Sequence, residues 1–192
     1  DEPDDATGGG LTGWESIGDP AGTWSTQFTL AFDVSIGSRS AAVNVAGKRA
    51  DDRIQLELLR SEPGVAWLPG FLAVAASQHG GAARVVANDY PTNRALQPAL
   101  EAAGVSVEFL GAADFAAACG WLQQAMADDK VRHLNDPVLS QAVANAAVAN
   151  VGDGAWRWTR RTSGADIAPI VGATLAGYAL ATVPSELDFF FV

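Results

Sequence analysis

The period of the apolar residues changes partway along the chain, and this change constrains the fold more than any other feature of the sequence. Over residues 28–34 and 53–60, apolar and polar side chains alternate with the two-residue period of a strand, and residues 40–46 between them, set off by short turns, are a further strand candidate. Three such strands predict an antiparallel meander. Residues 1–26 are rich in Asp and Gly, and we expect them to be a linker that precedes one folded domain over 27–192.

The sequence after the meander alternates between strands and helices. Residues 83–89 and 105–110 are short apolar runs typical of buried strands. Helices are expected at 92–103, 112–127, 136–150 and about 165–182. Strand, helix, strand and helix with tight connections predict parallel pairing through right-handed crossovers. This order is that of an α/β, ribonuclease H-like fold, with a mixed central sheet of five or more strands and helices on both faces.

Length and composition predict a single body in a reducing compartment. A chain of 192 residues, 48% of them hydrophobic, can bury one substantial core. The lone Cys119 excludes an internal disulfide and is expected to be a small buried residue. No apolar run approaches the roughly 20 residues that cross a bilayer, so neither membrane insertion nor secretion is expected. The chain begins with Asp1 and not Met, which predicts that it was cut from a longer protein.

The net charge of -10 at pH 7 argues against tight binding to a polyanion by the protein alone, because affinity for phosphates comes from Lys and Arg contacts. A site rich in carboxylates contributes negative charge of its own, however. Divalent ions bound there neutralise that charge and attract phosphate oxygens. The charge therefore lowers the expectation of a DNA-binding function without excluding it.

Three aspartates stand where the predicted fold would bring them together. Asp33 lies near the carboxyl end of the first strand and Asp89 at that of the fourth, its expected parallel neighbour. Asp166, at the start of the last long helix, is by chain order the best-placed third acid. Oxygen ligands without a His or Cys cluster favour Mg²⁺ or Mn²⁺. Two such ions, about 4 Å apart, would activate a water and stabilise the leaving oxygen of a phosphodiester.

Each aspartate also has a purely structural interpretation. Asp33 could be a solvent-facing residue of an alternating strand, Asp89 could initiate a turn before Tyr90-Pro91, and Asp166 could simply begin a helix. A carboxylate is unfavourable within a central strand, which favours a function for Asp33. The joint fit of the three to one fold favours a shared site.

The densest basic and aromatic stretch of the chain is Trp156–Arg161. Alternation would place both tryptophans on the core face and leave Arg157 and Arg161 exposed, where they could contact a DNA backbone. Arg39, Arg160 and His133 are further candidates for DNA contacts, although His133 is more easily explained as a hydrogen-bonded structural residue. Asp136 is expected to cap a helix, and Asp153, between two glycines, to belong to a hairpin turn.

Five segments between Phe28 and Ala181 resemble, in their order and spacing, the nuclease half of the large terminases of tailed bacteriophages, especially those of phages that infect actinobacteria. They are Phe32-Asp-Val-Ser, Ser40-Ala-Ala-Val, Val85-Val-Ala-Asn-Asp, Val131-Arg-His-Leu-Asn-Asp-Pro-Val and Trp156-Arg-Trp-Thr-Arg-Arg-Thr-Ser-Gly-Ala-Asp-Ile-Ala-Pro. The resemblance implies an endonuclease that cuts concatemeric viral double-stranded DNA in the host cytoplasm with Mg²⁺ or Mn²⁺. It also implies an acidic triad at Asp33, Asp89 and Asp166.

The resemblance further implies an N-terminal ATPase domain in the full-length protein, a terminase small subunit and a portal as partners, and a monomeric isolated domain. No Gly-x-x-x-x-Gly-Lys-Ser/Thr loop occurs, so ATP hydrolysis by this chain is not expected. Some terminases carry one more acid shortly after the first aspartate, where this chain has Ser38-Arg39-Ser40. That departure leaves the occupancy of a second metal site open.

Two other functions remain compatible with the sequence. A Holliday-junction resolvase or integrase core could use a similar triad on the same fold. A noncatalytic ribonuclease H-like docking module would carry the same acids merely solvated, and it would not bind Mn²⁺ through them.

Overall fold

The structure is a computed structural model that describes residues 11–25 and 27–183. Its strands are β1 (Phe28–Val34), β2 (Ser40–Lys48), β3 (Ile54–Pro63), β4 (Arg84–Asn88), β5 (Glu108–Leu110), β6 (Val131–His133), β7 (Ala147–Asn150) and β8 (Trp156–Thr159). Its α-helices are α1 (Leu68–Ser77), α2 (Pro91–Arg94), α3 (Gln97–Ala102), α4 (Ala112–Ala127), α5 (Pro137–Asn145) and α6 (Ala168–Ala181). Six strands form one sheet in the order β5-β4-β1-β2-β3-β6, and β7 and β8 form a separate hairpin.

The first strand, β1, lies inside the sheet, and all seven of its residues are buried. It runs antiparallel to β2 and parallel to β4, with Phe32 paired to Ala87. The pairs β4-β5 and β3-β6 are also parallel, and β2-β3 is antiparallel. The carboxyl ends of β1 and β4 therefore meet at one edge of the sheet, where the residues after Phe32 and Ala87 stand side by side.

Helices cover both faces of the sheet, as the sequence predicts. On one face, α6 is apolar on nearly every side because it lies between the sheet and the helices α4 and α5. Gly172 permits this close approach, since a Cβ there would lie 2.2 Å from the Asn44 side-chain oxygen of β2. On the other face, Leu68 and Leu72 of α1 and Leu100 of α3 pack on the apolar side chains of β1 and β2.

The meander, the parallel pairing of β1 with β4, and the bounds of α4 confirm the sequence predictions. The helix predicted over 136–150 is wrong at its end, because residues 147–150 pair with β8 as a strand. The helix predicted over 92–103 is divided in two. Pro98 lies in the first turn of α3, where its missing N–H is tolerated, whereas it would interrupt a continuous helix. The three-residue β6 was not predicted.

Part of the predicted linker packs on the domain. Trp14 and Ile17, in a short 3-10 helix at Trp14–Ile17, are each 4% exposed, and the Asp19 amide donates to the carbonyl of His133 at 2.7 Å. Two buried apolar side chains therefore tie this segment to the core. The domain boundary at residue 26 remains a prediction, and residues 1–10 and 184–192 lie outside the described residues.

Cys119 is fully buried in α4, as predicted, and burial raises the pKa of its thiol to about 12. The thiol is therefore neutral at physiological pH and unreactive. Among residues 11–25 and 27–183, no helix combines the length and the apolar composition that crossing a membrane requires.

Candidate active site

Asp33 lies near the end of β1 and is 0% exposed. Alternation along β1 puts Thr29, Ala31 and Asp33 on the face that α6 covers, and the Thr29 hydroxyl donates to the carbonyl of Ala176 in α6 at 2.7 Å. An ionised carboxylate in such a place requires strong partners, because removal from water penalises the charged form. The side chains around Asp33 supply them.

One partner of Asp33 is Asn93 in α2, which is itself fully buried. Its side-chain nitrogen donates to Asp33 Oδ1 at 3.0 Å and to the carbonyl of Asn88 at 2.9 Å, while its oxygen accepts from the amide of Val34 at 2.9 Å. Asn93 thus joins the ends of β1 and β4 and fixes the orientation of the carboxylate. Sequence reasoning missed it, because its partners lie up to 60 residues away and only its position just after Pro91 hints at a helix start.

The other partner of Asp33 is Arg160, the first residue after β8. Its guanidinium donates to Asp33 Oδ2 and lies over the ring of Tyr90, 4.6 Å from the centroid. The Arg160 side chain is 12% exposed, so this is a buried ion pair. The sequence predicted Arg160 as a DNA contact, whereas its partner in the structure is an acid of the predicted triad.

Asp166 lies beside this pair. Its Oδ1 accepts from the amide of Ala168 at 2.9 Å, which is the helix-start role anticipated for it, and its Oδ2 accepts from the Ser40 hydroxyl. Burial raises the pKa of Asp33, Arg160 and Asn93 lower it, and the negative charge of Asp166 raises it, with a net increase. Asp33 and Asp166 therefore share the positive charge of Arg160, which interacts electrostatically with both.

Asp89 is not part of this group. It is exposed, and its carboxylate accepts from the Arg94 guanidinium at 2.5 and 3.1 Å, which lowers the pKa of Asp89. Arg94 in turn lies over the ring of Phe109, 4.1 Å from the centroid, and Phe109 packs against the core on the α1 and α3 side of the sheet. The residue that precedes Asp89, Asn88 at the end of β4, is buried, and its side-chain nitrogen has no hydrogen-bond partner.

Two adjoining cavities, of about 430 and 340 Å³, open next to the Asp33–Arg160 pair and share Ile36 and Arg160 in their walls. We call them together the arginine groove. The first cavity is lined by Ser35, Arg39, Ser40, Ser163 and Asp166, and the second by Tyr90, Thr92, Arg157, Thr159 and Arg161. The groove thus collects four arginines of an acidic chain around two of its aspartates.

The arginines of the groove differ in exposure. Arg39 and Arg161 are exposed, as a contact to a phosphate requires. Arg157 was predicted to be exposed but is half-buried, and its guanidinium donates to the Tyr90 hydroxyl at 3.3 Å. The contact with Tyr90 holds the guanidinium against the domain instead of in solvent. Tyr90 therefore contacts both Arg157 and Arg160, a role that the sequence alone did not indicate.

His133 does not line the groove and is 1% exposed. Its ring stacks on Trp14 at 4.1 Å, its Nε2 donates to the Trp14 carbonyl at 2.9 Å, and its Nδ1 accepts from the Asn135 amide at 3.1 Å. This burial corrects the candidate DNA contact, because a nucleic acid cannot reach the ring. Asp136 caps α5 through the amides of Val138 and Leu139, as predicted.

The donor set of the site suits a hard divalent cation with few protein ligands. Asp33 bonds to the Arg160 guanidinium and Asp166 interacts electrostatically with it, and Mg²⁺ is commonly held by one or two carboxylates together with waters and substrate phosphates. Within the part of the chain that the structure describes, no group of three or more His, Cys, Asp or Glu side chains is placed to hold a metal ion. Asp33 and Asp166 both interact with Arg160, whereas Asp89 is paired with Arg94, and the triad remains a prediction.

Comparison with known proteins identifies the fold. No protein-family profile and no curated protein matches the chain. Among solved structures, the large terminase of bacteriophage HK97 is similar over 88% of this chain and 42% of its own, with a TM-score of 0.68 and 17% identity. The large terminase nuclease from thermophilic phage G20c is similar over 88% of this chain and 96% of its own, with a TM-score of 0.66 and 17% identity. Its form with bound magnesium has a TM-score of 0.63, with 16% identity over 88% of this chain and 95% of its own.

These similarities confirm the predicted fold, which is that of phage terminase nuclease domains. The chain spans less than half the length of the HK97 protein. The particular resemblance to terminases of actinobacterial phages remains a prediction.

Proposed function

We propose that this chain is the DNA-cutting domain of a phage large terminase, a metal-dependent endonuclease that cleaves concatemeric viral double-stranded DNA during packaging in the host cytoplasm. The observation that carries the proposal is the ion pair of Asp33 with Arg160, whose charge also interacts with Asp166, at the sheet edge where the arginine groove opens. The solved structure with bound magnesium belongs to the G20c nuclease, which has the same fold.

Asp33 and Asp166 would hold the divalent ion. Asp89 would become a third ligand after its carboxylate leaves Arg94 and binds the ion. When bound, Mg²⁺ or Mn²⁺ would activate a water and stabilise the leaving oxygen of the phosphodiester. A second ion, as the sequence predicts, would rely on Asp89 and on oxygens of the DNA phosphates, because Mg²⁺ sites commonly include substrate phosphates.

The other residues of the site would orient the Asp33 carboxylate and neutralise the phosphates of the DNA. Asn93 holds Oδ1 of the Asp33 carboxylate and leaves Oδ2 to the cationic group on its other side, which is Arg160 in this structure. Arg39 and Arg161 would bind backbone phosphates on either side of the shared wall at Ile36. Such contacts carry no sequence information, so we expect cleavage of low sequence specificity. We also expect the cleavage rate to fall steeply as the salt concentration rises, because phosphate contacts are electrostatic. In the full-length protein, an ATPase domain, the small subunit and the portal would deliver the DNA.

Supercoiled plasmid tests the proposal. We expect the wild-type chain to nick and linearise it with Mn²⁺ and not with EDTA, and Asp33→Asn to reduce the rate by about a hundredfold or more, since metal catalysis is worth several kcal/mol. Asp52→Asn is the matched control, because this aspartate lies in an exposed turn with a positive φ of 63° that asparagine also adopts. Cleavage that survives Asp33→Asn would overturn the site.

The two alternatives predict different results. A resolvase would cut a four-way junction much faster than linear duplex of the same sequence, whereas a packaging nuclease would not. A noncatalytic docking module would neither cut DNA nor bind Mn²⁺.

A further inference from the structure

Arg160 occupies the place that a metal ion would need. Its guanidinium bonds to Asp33 Oδ2 and interacts with the charge of Asp166, and these are the oxygens we assign to the cation. A divalent ion and the guanidinium would compete for the same lone pairs, and two cations side by side would repel. The site therefore cannot hold both in the described geometry.

The bonding of Arg160 in this position is incomplete. Its Nε is buried and has no hydrogen-bond partner, although almost all buried polar groups in proteins have one. Its remaining contacts are one carboxylate oxygen and the face of Tyr90. A guanidinium that is neither bidentate nor fully bonded is held less firmly than its burial suggests.

A second location for Arg160 is available nearby. The residue directly follows β8, and its side chain forms part of the wall between the two cavities of the arginine groove. Arg39 lines one of these cavities and Arg161 the other. A rotation of the side chain away from Asp33 would therefore bring its charge to the surface that we assign to DNA phosphates.

We infer that Arg160 is an exchangeable counter-ion that couples metal binding to DNA binding. In the metal-free protein it neutralises Asp33 and Asp166 and keeps the site closed to weakly bound cations. When a divalent ion takes its place, the released guanidinium binds a phosphate in the arginine groove. Metal and DNA then strengthen each other's binding, and reciprocity makes the two effects equal. This inference rests on the proposed function, because it needs both ligands.

The test is metal and DNA binding to the full chain, with Ca²⁺ for the DNA arm as an ion unsuited to the reaction. We expect Arg160→Gln to bind Mn²⁺ in calorimetry at least about tenfold more tightly than wild type, because one nearby charge changes the proton affinity of a carboxylate by about one to three powers of ten. In fluorescence anisotropy, Ca²⁺ should tighten duplex binding by wild type, and this enhancement should largely disappear in Arg160→Gln.

Arg161→Gln is the matched control, since it removes the same charge one residue along from an exposed position. It should weaken DNA binding without tightening Mn²⁺ binding. Arg160→Lys keeps a positive charge in nearly the same volume, and it should bind Mn²⁺ with an affinity between those of wild type and Arg160→Gln. It replaces the glutamine variant in the test if that variant does not fold.

Mn²⁺ affinity that is unchanged or weaker in Arg160→Gln and Arg160→Lys, while wild type binds Mn²⁺ and cuts DNA, would overturn the inference alone. Absence of both Mn²⁺ binding and cleavage in wild type would instead overturn the proposed function and the inference with it.

Discussion

The ends of β1 and β4 are neighbours in the sheet, yet the aspartates placed there are in opposite surroundings. Asp33 is buried and is held by Asn93 and Arg160, whereas Asp89 is exposed and is paired with Arg94. Adjacent strand ends bring both residues to the same edge of the sheet, but Asp89 follows the last residue of β4 and its carboxylate bonds to Arg94. Chain order therefore locates the edge of the sheet, and the partners of each side chain decide which residues meet there.

The largest effect expected from this comparison is at Asn93. Asn93→Leu would remove the partner of the buried Val34 amide and the Asn93 bond to Asp33 Oδ1, and we expect it to lower the free energy of unfolding by about 3 kcal/mol. Urea denaturation followed by circular dichroism measures the loss. Asn150→Leu, at the exposed end of β7, is the control and should change stability little. Equal losses in the two variants would show that the end of β1 has no special support.

A smaller effect is expected at Arg94. Arg94→Gln releases the Asp89 carboxylate from its only ion pair among the described residues, so Asp89 becomes free to join the metal. We expect Mn²⁺ affinity in calorimetry to rise about threefold, less than for Arg160→Gln, because solvent screens the exposed pair of Arg94 with Asp89. Arg132→Gln, which also removes an arginine from an ion pair but at Asp129, should leave Mn²⁺ affinity unchanged. An affinity equal to that of wild type would remove Asp89 from the proposed ligand set.

The smallest effect is expected on the free energy of unfolding when Asp89 is replaced. Exposed ion pairs contribute little to stability, because solvent screens them and their side chains lose freedom. Asp89→Asn should therefore give a urea midpoint indistinguishable from that of wild type, in contrast to Asn93→Leu. A clear loss of stability would mean that Asp89 has partners beyond Arg94 and that the two strand ends are more alike than the structure indicates.

The sequence predicted the frame of the fold because periodicity reports local structure. The alternation over residues 28–60 located the meander, and the Ala-rich run of α4 has the predicted bounds. Prediction from the sequence failed at residues 147–150, where a short apolar run fits either a helix or a strand. It also failed at β6, because a strand of only three residues gives too short a pattern. Tertiary pairing decides such segments, and their own composition does not.

The sequence indicated the acids of the candidate site and did not indicate their partners. Asp33 and Asp166 could be proposed because carboxylates at a strand end and a helix start are individually conspicuous. The roles of Asn93, Tyr90 and Arg160 depend on contacts between residues far apart in the chain, such as Arg160 with Asp33 across 127 positions. No local pattern reports such a contact.

The most direct test of the central claim is calorimetric titration of Mn²⁺ into the wild-type chain and into Asp33→Asn, Asp166→Asn and the control Asp52→Asn, each checked for folding. We predict that the wild type and Asp52→Asn bind Mn²⁺ with the same affinity, and that either site variant weakens binding by about tenfold or more, because carboxylates are the preferred ligands of this ion. Equal Mn²⁺ affinity in all four proteins would contradict the account, since Asp33 and Asp166 would then not form a metal site.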